Sequence, residues 1–269
     1  MFYVTSNDGT KIAVYDYNFQ GKQTVFLIHG WPLSHQIFEY QINLLTDCGY
    51  RVVAVDLRGF GRSDTPAYGY TYDQMAADVF QIVRQLCLKR FILAGFSMGG
   101  AIALRYMNCY NGFGVCKLIL LSAAAPSFAK RLGLPYGKPV EEVNDLISLA
   151  ETDRPLLCQN FSRQLFACPH SDAVIDWFRD IALSASGIGT IKCAIALRDE
   201  NVQKDFCSVH VPTYIIHGAK DLIVSNELAK IQHESIRGSK LITLPDSGHG
   251  IVYDQLKKFN SLFMKTIAD

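Results

Sequence analysis

The chain has 269 residues, 49% of them hydrophobic and 19% charged, with a formal net charge of +1. That length gives one large domain or two small ones, ample to bury a core without metal or disulfide staples, and the near-neutral balance offers no basic field for nucleic acid or an anionic membrane. No apolar run approaches the roughly 18 residues of a spanning helix, and residues 1–10 carry neither a basic leader nor an apolar signal core, so the expectation is a cytoplasmic globular protein.

In chain order, residues 2–5 and 11–17 flank Asn7-Asp8-Gly9 and read as an antiparallel hairpin. Short runs rich in Val, Ile and Leu follow at 24–29, 51–55, 90–95, 117–121, 213–217 and 240–244, as fully buried parallel strands require. Helical patterns lie at 36–46, 72–86, 98–108, 226–235 and 255–267. Strand–helix alternation predicts a parallel sheet covered by helices on both faces. Residues 125–205 break the rhythm: no clear strand occurs, helical patterns are best at 156–166 and 173–183, and Pro126, Pro135, Pro139, Pro155 and Pro169 mark starts and connections. The sheet pattern resumes afterwards. The expected organisation is therefore a single domain over 1–269, with a core of 1–124 and 206–269 and an inserted helical lid at 125–205.

Eight cysteines (48, 87, 109, 116, 158, 168, 193 and 207) form no Cys-x-x-Cys pair, and several sit in apolar stretches. They read as reduced, structural thiols, and no metal site is expected.

The chemistry gathers at the ends of the predicted strands. Gly95-Phe96-Ser97-Met98-Gly99 follows one strand and opens a helix. A strand-to-helix turn this tight needs small residues two before and two after the serine, and it exposes the hydroxyl over a helix N-terminus. Ser97 is thus the candidate nucleophile. A serine needs a base, and His249 in Asp246-Ser247-Gly248-His249-Gly250 is the leading histidine, since its flanking glycines suit a mobile, exposed loop. The remaining histidines have local readings: His29 and His217 end strands before glycine, His170, His210 and His233 look like surface or lid positions, and His35 sits near a helix start. The acid that holds the base is assigned to Asp221, which ends His217-Gly218-Ala219-Lys220-Asp221 after a strand. Asp246 and Asp254 are rivals, although closeness in sequence does not put a carboxylate behind the ring. Ser97, Asp221 and His249 occur in the order Ser…Asp…His. The loop His29-Gly30-Trp31-Pro32 can supply one oxyanion amide, from Trp31, beside that of Met98.

Together with Asp56-Leu57-Arg58-Gly59-Phe60-Gly61-Arg62-Ser63 and Gly100, these strings resemble the α/β-hydrolase superfamily over the whole chain except the lid. Within it the chain is most similar to the cofactor-free haloperoxidase, arylesterase and perhydrolase group. The resemblance implies an eight-stranded, mostly parallel sheet with an antiparallel second strand, and a structural role for the Asp56–Ser63 string. It also implies no cofactor, a serine hydrolase of small carboxylic esters working through an acyl-enzyme, and hydrogen peroxide as an alternative to water. Pro32 resembles the residue associated in that group with the peroxide reaction. Relatives with an Asp nucleophile are excluded by Ser97. Homo-oligomers occur in the group. Trp31, Phe128, Phe161, Phe166 and Trp177 are candidate pocket residues, with lid-core packing as the competing role for the lid aromatics. Two other readings stand beside the esterase: a lactonase, lactam amidase or C–C bond hydrolase on the same triad, and a small-molecule receptor or signalling regulator with a slow triad.

Overall fold

Burial of aliphatic side chains on both faces drives eight short segments into one sheet. A computed structural model describes all 269 residues. The strands are β1 (Phe2–Thr5), β2 (Lys11–Tyr17), β3 (Thr24–Ile28), β4 (Arg51–Val55), β5 (Phe91–Phe96), β6 (Val115–Leu121), β7 (Thr213–Gly218) and β8 (Lys240–Leu244), in the spatial order β1-β2-β4-β3-β5-β6-β7-β8. Strand β2 runs antiparallel to both β1 and β4, and every other pairing is parallel. Every residue of β5 is buried, because helices cover both sides.

Those helices are α1 (Glu39–Asp47), α2 (Tyr72–Gln85), α3 (Met98–Cys109), α4 (Val140–Thr152), α5 (Arg154–Gln164), α6 (Asp172–Leu183), α7 (Gly187–Asp199), α8 (Asn226–Ser235), α9 (Ile251–Asp254) and α10 (Leu256–Ala268). Local chemistry sets their ends. Thr71 caps α2 by accepting from the Gln74 amide, and Asp153 caps α5 by accepting from Leu156, with Pro155 in its first turn. At the far end of α10, the buried Lys117 ammonium donates to the carbonyls of Thr266 and Ile267 at 2.7 and 2.9 Å, a cation on a helix C-terminus. No single helix is long and apolar enough to cross a membrane.

Between β6 and β7 the chain makes a small paired turn, where Ala129 bridges Lys138 and Arg131 bridges Leu134, and then the four helices α4 to α7. Two of these, α4 and α7, lie outside the two clearest helical patterns of that stretch. The cysteines also differ from the sequence reading: only Cys158 and Cys193 are buried, while Cys48, Cys87, Cys109 and Cys207 are exposed and all eight are free thiols. Neighbouring apolar residues did not determine their environment, because Cys48, Cys87 and Cys109 fall at or just beyond the ends of helices, where the chain turns toward solvent.

Candidate active site

Parallel strands deliver their following loops to one edge of the sheet, and four such loops converge here. Strand β5 ends at Phe96, and Ser97 follows in a left-handed conformation, φ 53° and ψ −119°. A non-glycine residue there is strained, and close packing enforces it. A Cβ at Gly95 would lie 2.3 Å from the Gly99 carbonyl oxygen, and one at Gly99 would lie 2.4 Å from that of Ile28. The turn leaves Ser97 at the N-terminus of α3, with the residue 6% exposed.

Ser97 Oγ donates to His249 Nε2 at 3.0 Å, and His249 Nδ1 donates to Asp221 Oδ2 at 2.7 Å. Asp221 Oδ1 is occupied by the amides of Ile223 and Val224, both at 2.8 Å, which turns Oδ2 toward the ring. Burial alone would push the Asp221 carboxyl up. The imidazoles of His249 and His217 outweigh burial and hold it well below the usual carboxylate range. His217 is a neighbour that sequence reasoning treated as purely local. Its Nε2 donates to the Val224 carbonyl at 2.9 Å and also lies 3.2 Å from Asp221 Oδ2. Its position four residues before Asp221 was the available signal.

His249 is fully buried, contrary to the mobile, exposed loop read from its glycines. Those glycines serve close approach instead. A Cβ at Gly248 would meet the Leu165 carbonyl oxygen at 2.8 Å, and one at Gly250 would meet the Phe166 ring at 2.7 Å. The inserted segment lies directly on the histidine loop.

On the other side of Ser97, the loop after β3 runs so close that a Cβ at Gly30 would lie 2.7 Å from Ser97 Cβ. Trp31 follows Gly30 in this loop and Met98 follows Ser97, and neither amide is a donor in the loop and turn hydrogen bonds. The Trp31 indole donates to the Thr190 carbonyl at 2.8 Å and packs edge-on against Phe161. Behind this loop, Asp56 accepts from the His35 ring and amide at 2.7 and 3.0 Å. Arg58 is buried between Asp78 and Asp8.

A cavity of about 320 Å³ opens over Ser97. Trp31, Phe128 and Phe161 line it with Leu146 and Leu149 from α4, while Asn160 and Gln164 add amides and Lys138, Glu142 and Asp145 add charges. Of the five candidate pocket residues, Phe166 and Trp177 do not reach it. Their rings pack edge-on or tilted against Phe178 and Tyr253 instead, an aromatic cluster behind the histidine loop, because they lie on faces of the inserted segment turned away from Ser97. Leu146 and Leu149 were missed, although Pro139, the acidic first turn of Glu141 and Glu142, and apolar Val143, Ile147 and Ala150 at helical spacing were signals for α4. Asp246 pairs with Lys220 at the surface, and Asp254 faces the inserted segment, not the ring. No group of three or more His, Cys, Asp or Glu side chains is placed to hold a metal.

A strained serine between a buried strand and a helix, with this strand order, defines an α/β hydrolase. The chain belongs to that family: the alpha/beta hydrolase family model matches residues 25–262. Among its relatives is the AB hydrolase superfamily protein YisY of Bacillus subtilis, 46% identical over 97% of this chain and 96% of that one. The solved esterase EaEST from Exiguobacterium antarcticum is 42% identical with a TM-score of 0.97, covering 100% of this chain and 99% of the other. The bromoperoxidase from Bacillus anthracis is 33% identical with a TM-score of 0.93, over 99% of both chains.

Proposed function

We propose that the protein is a serine esterase acting on small carboxylic esters, with water or hydrogen peroxide as the second nucleophile. One observation carries the reading: His249 is hydrogen-bonded at once to Ser97 Oγ and to a buried, ionised Asp221. That arrangement makes Nε2 the acceptor for the serine proton. An ester enters the cavity with its carbonyl oxygen toward the Trp31 and Met98 amides. Ser97 Oγ attacks the carbonyl carbon as its proton passes to Nε2, and Asp221 stabilises the imidazolium. Collapse of the tetrahedral intermediate breaks the alkoxy C–O bond, and the alcohol leaves with the proton from His249. Water then attacks the acyl-enzyme, giving the acid and free Ser97.

With hydrogen peroxide in place of water, the same step gives a peracid, which oxidises halide in solution. The hydrophobic side chains of Trp31, Phe128, Leu146, Leu149 and Phe161 in the cavity lining support binding of an apolar group of the ester. The esterase and bromoperoxidase relatives support the two fates of the acyl-enzyme. The lid role of residues 125–205 belongs to the same proposal, since that insert supplies Phe128, Leu146, Leu149 and Phe161 to the cavity.

Replacing Ser97 by Ala should lower turnover of p-nitrophenyl acetate by about 10⁴-fold or more. In the unaltered protein, diethyl p-nitrophenyl phosphate should add one phosphoryl group, found on Ser97 by mass spectrometry. Full activity in Ser97→Ala, or a label elsewhere, would overturn the assignment.

A further inference from the structure

Asp254, the last residue of α9, is a buried carboxylate close to His249 that the proposed chemistry leaves unused. Its side chain is 0% exposed. Four donors converge on it. Oδ2 accepts from the Gly248 amide at 2.6 Å and from the Ala167 amide at 2.8 Å. Oδ1 accepts from the Cys168 amide at 2.9 Å and lies 3.1 Å from His170 Nε2. A carboxylate offers about four lone-pair directions, so its capacity is filled. Three of the four donors belong to the connection between α5 and α6, and the fourth belongs to the residue before His249.

A second set of contacts joins the same two segments. The Gly250 amide donates to the Leu165 carbonyl at 2.7 Å. Gly248 and Gly250 approach that connection too closely for any side chain. The connection therefore grips the backbone on both sides of His249. Asp221 holds one nitrogen of the imidazole, but it does not fix the backbone from which the ring hangs. A base displaced by even an ångström loses its proton-transfer geometry.

We infer that Asp254 is a positioning residue: it latches residues 165–170 of the insert to the Gly248-His249-Gly250 loop, so that the base meets Ser97 only while the insert is seated. This rests on the Ser97–His249 reading. Without the carboxylate, the amides of Ala167 and Cys168 lose their acceptor and the connection can lift from the loop.

The test is Asp254→Asn, which keeps the size but places an amide NH₂ against backbone donors. Covalent capture of Ser97 by diethyl p-nitrophenyl phosphate is a single step that needs His249. In the folded variant it should slow at least tenfold, while competitive inhibition by benzyl alcohol, which reports the cavity alone, changes less than twofold. A capture rate within twofold of the parent in a folded variant would overturn the latch. So would a loss of capture that only follows the unfolded fraction measured in the same sample. Should the variant not fold, amide exchange in the unaltered protein decides the matter. The Ala167, Cys168 and Gly248 amides should be protected together, within about tenfold of one another, and exchange of Ala167 and Cys168 at unprotected rates would refute the latch. Ser97→Ala separates this from the wider reading. If that variant is inactive while Asp254→Asn reacts normally, only the latch fails; if it is active, the triad assignment fails.

Discussion

His29 shows how a single buried side chain can tie stability to pH near the site. Its Nδ1 faces the Gly30 carbonyl at 2.9 Å, and its Nε2 faces the Leu57 amide at 2.9 Å. A carbonyl needs a donor and an N–H needs an acceptor, so these partners select the neutral imidazole with its proton on Nδ1. Protonating Nε2 would set two donors against each other in a fully buried position. Burial accordingly pushes the group down to about 4 from its ordinary 6.5, although Asp56 pulls the other way. The sign follows from proton counts: between about 6.5 and 4 the unfolded chain holds the proton and the folded chain does not, so stability falls as pH drops through that window. The full effect is about 3 kcal/mol. Asp221 and Asp56, both held below the ordinary 3.8, lose their contributions at lower pH, so the windows separate. Urea unfolding at pH 7 and pH 4.5 should show the loss, and His29→Gln should remove most of the difference. Parallel losses in both proteins would assign the effect to other groups. At this scale much of the candidate site was legible, because Ser97, Asp221 and His249 each follow a short aliphatic run next to glycine. The burial of His249 and the partners of Asp254 were not, since both depend on residues 165–170, which lie far back in the chain and have no local signal pointing toward the histidine loop.

Helix α7 shows what an element can conceal. Its first residues are Gly187-Ile188-Gly189, a poor helical opening by propensity, and the helix does not stand out in the sequence. The structure explains one of the two glycines. A Cβ on Gly189 would lie 2.7 Å from the Gly59 carbonyl oxygen, whereas one on Gly187 would meet nothing within 4 Å. The Ser186 amide donates to the same Gly59 carbonyl at 2.9 Å, and the following Thr190 carbonyl accepts the Trp31 indole. The helix is thus docked on the loop after β4 and braces the wall of the cavity. Alanine at 189 would gain up to about 1 kcal/mol of helix propensity, but its clash is with backbone, which cannot rotate away, and overpacking costs about 1–3 kcal/mol. The clash wins, and Gly189→Ala should be destabilised by about 1–2 kcal/mol. Gly187→Ala, in open space, should be neutral or more stable by up to about 1 kcal/mol. Urea midpoints of the two variants test this pair, and the reverse order would show that α7 is not seated on Gly59. The strands were readable because parallel, doubly covered strands are simply apolar. Helix α7 was harder, since its opening glycines are poor helix formers and its buried residues do not keep to one face.

For the whole molecule, the question is whether residues 125–205 unfold apart from the sheet. A helical insert of that length could form a separate unit, with its own small core and a thin contact surface. The packing argues otherwise. One continuous cluster of 82 buried hydrophobic residues contains Phe26, Ile92, Leu118 and Leu120 of the strands as well as Val143, Leu157, Phe178 and Leu197 of the insert. Polar ties cross the same boundary: Gln232 of α8 donates to the carbonyls of Ala123 and Ala125, where the insert begins, and Asp254 holds the amides of Ala167 and Cys168. Unseating the insert would expose apolar surface on both partners and strand these donors, each a buried group left unsatisfied. The insert and the sheet should therefore unfold together. Scanning calorimetry should give one transition whose van't Hoff and calorimetric enthalpies agree, with a heat-capacity increase of about 3.5 kcal/mol/K, as expected when a chain of this length unfolds as a unit. Fluorescence of Trp177, in the insert, isolated by Trp31→Phe because the chain has two tryptophans, and far-ultraviolet circular dichroism of the same variant should then share one midpoint. A separate earlier transition seen by Trp177 would mean that the insert opens on its own, and the cavity it roofs would be lost before the sheet melts.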